Sequence, residues 1–333
     1  MGKVAIHGFG RIGRTLMRIG LERNLFTPFS ISDIKDVETL AALFSVDTNY
    51  GRWPEEVKPR EHGFTIGGRE INYYNSMQEL PNWGDLGVDV VVDCTGRATT
   101  RAGAQAHIDR GAQRVLVSAP SKSKEDADAF ILMGVNTEDY NPEQHKIVSM
   151  ASCTTNALAP VVKVLLDNYG IQYGLFSTVH AYTNTQSLTD QPMKDRRDSW
   201  AAAENVIPSS SGAAKALSMI YQGLKITGKA YRVPVRTGSI VELNCMTEKP
   251  VTAEAVNEAF RKAAAEGPLK GIMDVLEGEW ASSRIVGDKH SSIIDLPLTM
   301  VQDTNFLSVA AWYDNEYGYT SRLAEMTNIM ANK

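Results

Sequence analysis

The sequence is poor in cysteine: Cys94, Cys153 and Cys245 are the only three in 333 residues. Three scattered thiols cannot build a disulfide framework, and no two stand at a zinc-ligand spacing. A reducing cytoplasm is the compartment this usage predicts. Long apolar runs are missing too; none approaches the roughly 20 residues that a membrane helix needs. The N-terminus has no cationic stretch leading into an apolar region and a small-residue cleavage site, so no secretion signal is expected. Neither sign of charge dominates, with 34 Lys and Arg against 39 Asp and Glu, a net charge of −5. That balance predicts no nucleic-acid partner and no membrane surface. Internal repeats, low-complexity tracts and Pro/Ser-rich linkers are absent as well.

What is present is the material of a globular protein, 43% hydrophobic and 22% charged. The length predicts two domains. In the first third, β-branched runs at Lys3 to His7, Phe29 to Ile31, Val88 to Val92 and Val115 to Val117 alternate with helical patterns from Arg11 to about Leu21 and from Arg101 to Asp109. Such alternation predicts a parallel sheet of βαβ units. Between Tyr50 and Trp83, aromatics, Gly and Pro suggest antiparallel pieces at one edge. Beyond residue 150 longer strand patterns take over, at Tyr173 to Tyr182, Ala230 to Met246 and Phe306 to Trp312. Helical patterns recur at Thr154 to Leu166, Gly212 to Tyr221, Ala253 to Ala265 and Tyr319 to Met330. Long irregular connections predict a mainly antiparallel second sheet. The expected class is thus an α/β nucleotide domain followed by an α+β domain.

Val4 to Arg14 carries G-x-G-x-x-G, as Gly8, Gly10 and Gly13, between a strand and a helix start. The first glycine permits the turn, the second a close approach to a pyrophosphate, and the third tight helix–strand packing. Free amides at the helix start suit phosphate. Asp33, 20 residues past Gly13, ends the next strand. A carboxylate there accepts from ribose hydroxyls and repels a 2′-phosphate, which favours NAD over NADP. A turn-capping Asp is the plainer alternative, but strand, glycines and spacing agree on the cofactor.

Cys153 lies in Ser152-Cys153-Thr154-Thr155-Asn156, just before an apolar helical pattern. A helix N-terminus stabilises a thiolate, so this position predicts a lowered thiol pKa and a nucleophile. Cys94 and Cys245, in apolar strand contexts, read as inert core residues. His180 ends Phe176-Ser177-Thr178-Val179-His180. Imidazole there is suited to proton transfer or to an ion pair with a thiolate, and a purely structural histidine is the alternative.

These strings closely resemble the phosphorylating glyceraldehyde-3-phosphate dehydrogenases over essentially the whole chain. The resemblance rests on Gly8-Phe9-Gly10-Arg11-Ile12-Gly13-Arg14, Ser118-Ala119-Pro120, Met133-Gly134-Val135-Asn136 and Ala151 to Asn156. It continues through Thr178-Val179-His180, Pro208 to Lys215, Arg232-Val233-Pro234 and Trp312 to Glu316. The resemblance implies a Rossmann-type NAD domain over 1–151, a catalytic α+β domain over 152–315, and a C-terminal helix over 316–333 that returns to the NAD domain. It implies that Cys153 attacks an aldehyde, that His180 is the general base, and that inorganic phosphate cleaves the resulting thioester. It assigns NAD contacts to Gly8, Gly10, Arg11, Ile12, Gly13, Asp33, Thr95, Gly96, Ser118 and Asn315. It assigns Thr183 and Arg232 to the substrate's phosphate, and Ser152, Thr154, Ser211 and Gly212 to the attacking phosphate. No metal is implied; a homotetramer and a glycolytic role are.

Several positions depart from the family pattern. His7 and Ser32 each stand where Asn is usual, Met150 replaces another Asn, and Ala157 replaces a second cysteine. Asn75-Ser76-Met77 lacks an arginine often found near the adenine. In Lys194 to Trp200, Trp200 occupies the place of an arginine, for which Arg196 or Arg197 is the candidate substitute. That loop motivates a second reading, a dehydrogenase of another aldehyde phosphate such as erythrose 4-phosphate. A non-catalytic family member is a third.

Overall fold

The computed structural model describes residues 2–333 and divides into two compact units. The first comprises the chain up to Ile131, Asn136–Ala151 and Thr320–Lys333; the second comprises Leu132–Val135 and Ser152–Tyr319.

The first unit holds a nine-stranded sheet. Its centre is Val4–His7, flanked by Ser30–Asp33 on one side and Val90–Asp93 on the other, all parallel. Arg114–Val117, Ile147–Ser149 and Ala129–Phe130 extend one side in parallel. Arg69–Asn75 extends the other in parallel, and Gly63–Ile66 and Val57–Arg60 finish that edge antiparallel. Every residue of Val4–His7 and Val90–Asp93 is buried, as expected of strands covered on both faces. The antiparallel edge was legible in the sequence. The seven-residue parallel strand beside it, and the nine-residue helix Val37–Ser45, were not. That helix is started by Asp36, whose carboxylate accepts from the Thr39 amide at 2.7 Å. Phe9, Phe44 and Phe64 pack together with ring centroids 6.0–6.2 Å apart.

In the second unit the sheet runs Ile207–Ser210, Ile226–Val233, Ile171–Ala181, Ser239–Thr247, Phe306–Tyr313, Ser292–Asp295, Met273–Leu276. Most pairings are antiparallel. Two are parallel, one of them Ile171–Ala181 with Ile226–Val233, which sets His180 beside Arg232 in register. The continuous pattern from Ala230 to Met246 is in fact two strands. Pro234 has no amide to continue the ladder, and Gly238 turns the chain at φ +91°, where a Cβ would lie 2.8 Å from the Ser282 carbonyl oxygen. The helix Cys153–Asn168 is buried on nearly every side, which holds it continuous through Pro160. Helix Ala213–Ile220 is one residue shorter at each end than its pattern, and the last helix, Tyr317–Asn332, is longer.

Candidate active site

The first unit's parallel strands end in one cluster of turns. Gly8 has φ +86°, and a Cβ on it would lie 2.8 Å from the Thr95 amide nitrogen. A Cβ on Gly13 would meet the Gly8 carbonyl oxygen at 2.2 Å. Gly10, at the N-cap of helix Arg11–Glu22, faces nothing within 4 Å, an open cradle that a side chain would fill. The Arg11 guanidinium pairs with Asp47, so what Arg11 and Ile12 offer an anion is backbone at the helix start. Asp33 accepts from the Phe9 amide inside the glycine turn at 2.7 Å, and from the Ile34 and Lys35 amides at 2.7 and 3.0 Å. Thr95 donates its amide and hydroxyl to Asp93 at 3.0 and 2.7 Å; Gly96 follows at φ +71°. The Ser118 amide donates to the Asp93 carbonyl at 3.0 Å. All of these residues lie at the carboxyl ends of neighbouring parallel strands, where a dinucleotide crevice forms in such sheets.

Beneath the turns lies a polar cluster that sequence reasoning missed: His7, Asp93 and His107, all buried, with ligand-type atoms within 4.8 Å of one another. Its hydrogen bonds fix its chemistry. Trp83 Nε1–H donates to His107 Nδ1 at 3.1 Å, so that nitrogen carries a lone pair. The proton is then on Nε2, which faces Asp93 Oδ2 at 3.1 Å. A metal at Nε2 would need that proton gone while Trp83 still blocks the other nitrogen, so the cluster reads as a hydrogen-bonded polar core. Burial would raise Asp93, but the bonds from His107 and Thr95 and the two nearby imidazoles outweigh it and hold the carboxyl below its usual range. Burial lowers His7 to about 4, so it is neutral at pH 7. His7 Nδ1 and Ser32 Oγ lie 2.6 Å apart, so two departures from the family pattern are partners of each other.

In the second unit, Ser152 caps the helix that begins at Cys153, its hydroxyl accepting from the Thr155 amide at 3.2 Å. The residue before it, Ala151, is held at φ +54°, a strained conformation for alanine. Cys153 Sγ lies 3.4 Å from His180 Nε2. The expected lowering of the thiol is not found. Burial pushes Cys153 above the ordinary thiol range, and the opposing pulls of Arg232, the Thr154 amide and hydroxyl and the Cys153 amide do not overcome it. Burial, with Arg232 adding to it, lowers His180 to about 3. Burial thus pushes both groups toward their uncharged forms, a thiol and a neutral imidazole. Burial also raises Cys94 far above its ordinary value and Cys245 to about 12, in keeping with inert thiols.

His180 Nδ1 has two neighbours, the Ala181 carbonyl oxygen at 2.7 Å and Arg232 Nη1. They favour opposite tautomers. With the proton on Nδ1 and donated to Ala181, Nε2 turns a lone pair to the thiol and can take its proton. Arg232 Nη1 also reaches Ala181 O at 3.3 Å, and its Nε is buried without a partner, a donor ready for an anion. Thr183 follows on the end of the His180 strand and bonds to Thr185 and Gln186. Asn315 Oδ1 accepts from the Gly238 amide and from the Ser239 and Thr237 hydroxyls at 3.0–3.4 Å. Its Nδ2 has no acceptor among the described residues.

Known proteins match this chain along its length. Residues 2–101 match the family described as "Glyceraldehyde 3-phosphate dehydrogenase, NAD binding domain", and residues 152–315 its "C-terminal domain". The chain is 45% identical to the glyceraldehyde-3-phosphate dehydrogenase of Streptomyces coelicolor over 99% of both chains. It is 44% identical to that of Geobacillus stearothermophilus, over 99% of this chain and 98% of the relative. The glyceraldehyde-3-phosphate dehydrogenase 1 of Bacillus cereus is 43% identical, over 100% and 99%. This chain belongs to the glyceraldehyde-3-phosphate dehydrogenase family. It is an NAD-dependent oxidoreductase whose first domain binds NAD.

Within the family pattern, Ser211 and Gly212 stand apart from Arg232 in this conformation. Ile207 pairs with Arg232 and Ser210 with Lys229, which puts Ser211 roughly 10 Å or more along the ladder. In the divergent loop, Arg196 to Ser199 form a single 3-10 turn started by Asp195. Arg196 and Arg197 are exposed, and Trp200 is 56% exposed. The loop is tied toward Thr183 by Asp198, which accepts from Gln186 Nε2 at 3.0 Å.

Proposed function

We propose that this chain oxidises D-glyceraldehyde 3-phosphate to 1,3-bisphosphoglycerate, using NAD and inorganic phosphate and passing through a thioester on Cys153. The observation that carries the reading is Cys153 Sγ 3.4 Å from His180 Nε2 with Arg232 against the same imidazole. Family membership supports it, and the relatives' glyceraldehyde name does not favour a four-carbon substrate. The presence of thiol, base and anion-binding arginine together speaks against a non-catalytic role.

The residues fit NAD. Gly10 leaves room for the pyrophosphate, Asp33 disfavours a 2′-phosphate, Gly8, Gly13, Thr95, Gly96 and Ser118 shape the crevice wall, and Asn315 keeps its Nδ2 donor for the carboxamide. NAD, when bound, supplies the acceptor for the hydride that leaves the substrate carbon.

Cys153 Sγ forms a bond to the aldehyde carbon while His180 passes the thiol proton to the carbonyl oxygen, giving a hemithioacetal. Arg232 and Thr183 hold the substrate's phosphate. Once Arg232 engages that anion, His180 Nδ1 is left to donate to Ala181, which fixes the tautomer that acts as base. His180 then removes the hydroxyl proton as hydride leaves, and a thioester remains. The Cys153 amide stabilises negative charge on the oxygen. Phosphate, bound by Ser152 and Thr154 with Ser211 and Gly212 brought in from their loop, attacks the thioester carbon. The C–S bond breaks, the acyl phosphate leaves, and the thiol is regained.

The working assembly in this reading is a cytoplasmic homotetramer. Three free cysteines support a reducing compartment. Tyr173, Leu175 and Val179 are exposed on the outward side of one strand, and Val179 is in register with Ile240 and Tyr173 with Met246. Phe306, opposite Met246, continues this apolar surface, which a second copy would cover. The test is NADH formation from glyceraldehyde 3-phosphate with and without phosphate. Sustained turnover only with phosphate is expected; phosphate-independent turnover would contradict the acyl-phosphate chemistry.

A further inference from the structure

The turn at Gly238 sets three consecutive residues, Thr237, Gly238 and Ser239, around one atom, Asn315 Oδ1. All four residues are buried, Ser239 with 1% exposure. The Gly238 amide can only donate, so the atom it meets at 3.2 Å is the oxygen of the Asn315 side chain and not its nitrogen. Thr237 shares its one proton between that oxygen at 3.4 Å and the nearer Asp314 Oδ1 at 2.9 Å. Ser239 does not share. Its hydroxyl oxygen accepts from the Ala181 amide at 3.1 Å, and its one proton goes to Asn315 Oδ1 at 3.0 Å. Ser239 begins the strand Ser239–Thr247, and Ala181 ends the strand Ile171–Ala181. The ladder between these strands reaches Val179 opposite Ile240, and beyond it the Ser239 side chain takes up the Ala181 amide.

We propose that Ser239 is a positioning residue for the cofactor: it locks the Asn315 amide so that Nδ2, and not Oδ1, is presented to the nicotinamide carboxamide. The two ends of an asparagine amide offer opposite hydrogen bonds, so only one orientation donates to a carbonyl oxygen. Held by the Gly238 amide alone, the Asn315 side chain would still turn about its last torsion, which is a soft one. A second donor from another direction removes that freedom, because the Ser239 hydroxyl is itself anchored to a neighbouring strand through the Ala181 amide. The cost of ordering Asn315 then falls on folding and not on binding.

The test is equilibrium titration of the full-length protein, freed of nucleotide, with NAD and separately with ADP-ribose, which has every part of NAD except the nicotinamide. Ser239→Ala is expected to weaken NAD binding about three- to tenfold, the effect of one hydrogen bond, and to leave ADP-ribose binding unchanged. Ser239→Thr keeps the hydroxyl and should bind both ligands as the unaltered protein does. Asn315→Ala should weaken NAD binding alone. Adding Ser239→Ala to it should weaken NAD no further, because Ser239 acts through Asn315. Unchanged NAD affinity in Ser239→Ala, equal weakening of both ligands, or a further loss in the double variant would overturn the role of Ser239. The inference rests on the proposed function in taking Asn315 as the partner of the nicotinamide. If Asn315→Ala binds NAD as tightly as the unaltered protein, that assignment falls and this inference with it. If Asn315→Ala weakens NAD binding and Ser239→Ala does not, the role of Ser239 alone falls.

Discussion

A neutral imidazole beside a protonated thiol can begin a reaction by taking that proton; an imidazolium cannot. Burial holds His180 in the neutral state, titrating at about 3. The kcat/KM profile should therefore show no inflection near pH 6.5 from this residue. His180→Asn should lower kcat by about 10²- to 10⁴-fold, the usual contribution of a general base. Steady-state rates and an NAD titration check both statements; an unchanged kcat would remove His180 from the chemistry. The identity of this pair was legible in the sequence because hydroxyl-rich flanks and a helix start surround Cys153 and a strand end carries His180. Their protonation states were not, since burial is set by strands remote in sequence. The helix N-terminus does pull the Cys153 thiol down through its amides, but burial opposes it more strongly. His7 shows the same physics acting on stability. It titrates at about 4 when folded and near 6.5 when unfolded, so between those values the unfolded chain binds the extra proton. Stability from this source is full above about pH 6.5 and falls as pH drops toward 4, by up to about 2 kcal/mol at pH 5. His7→Asn should lose less urea resistance between pH 7 and pH 5 than the unaltered protein. Equal losses would show that His7 carries none of the acid sensitivity.

At the scale of elements, the glycine turn separates folding from binding. Gly13 is needed by the fold, because any Cβ there meets the Gly8 carbonyl oxygen, whereas Gly10 borders open space. Gly13→Ala should lower the melting temperature. Gly10→Ala should leave it near the unaltered value while raising the KM for NAD several-fold or more. Thermal melts with NAD titrations on the two variants decide this, and the reverse pattern would contradict the assigned roles. The turn was legible because three glycines, a strand and an acidic residue at a fixed distance must agree. Boundaries within the second unit were less so. Ala230 to Met246 alternates like one strand, and Pro234 with Gly238 divides it. The polar core of Trp83, Asp93 and His107 gave no local signal, because its members meet only once the parallel sheet has formed.

At the scale of the whole molecule, length indicated two units, and the order of strand and helix patterns indicated an α/β first part and a mainly antiparallel second part, as the two sheets show. Neither could indicate which sheet face stays uncovered. The outward side chains Tyr173, Leu175 and Val179 predict self-association. Sedimentation should find a tetramer, and Leu175→Glu should shift it to smaller species; a monomer at all concentrations would contradict the proposed assembly. The central claim is the thioester on Cys153, and intact-protein mass spectrometry tests it most directly. The protein is mixed with NAD and glyceraldehyde 3-phosphate in phosphate-free buffer, quenched in acid within one turnover, and then chased with phosphate. The account predicts one added phosphoglyceryl group per chain, located on Cys153 and lost on adding phosphate. NADH formation with no adduct on Cys153, or an adduct that phosphate does not release, would contradict it.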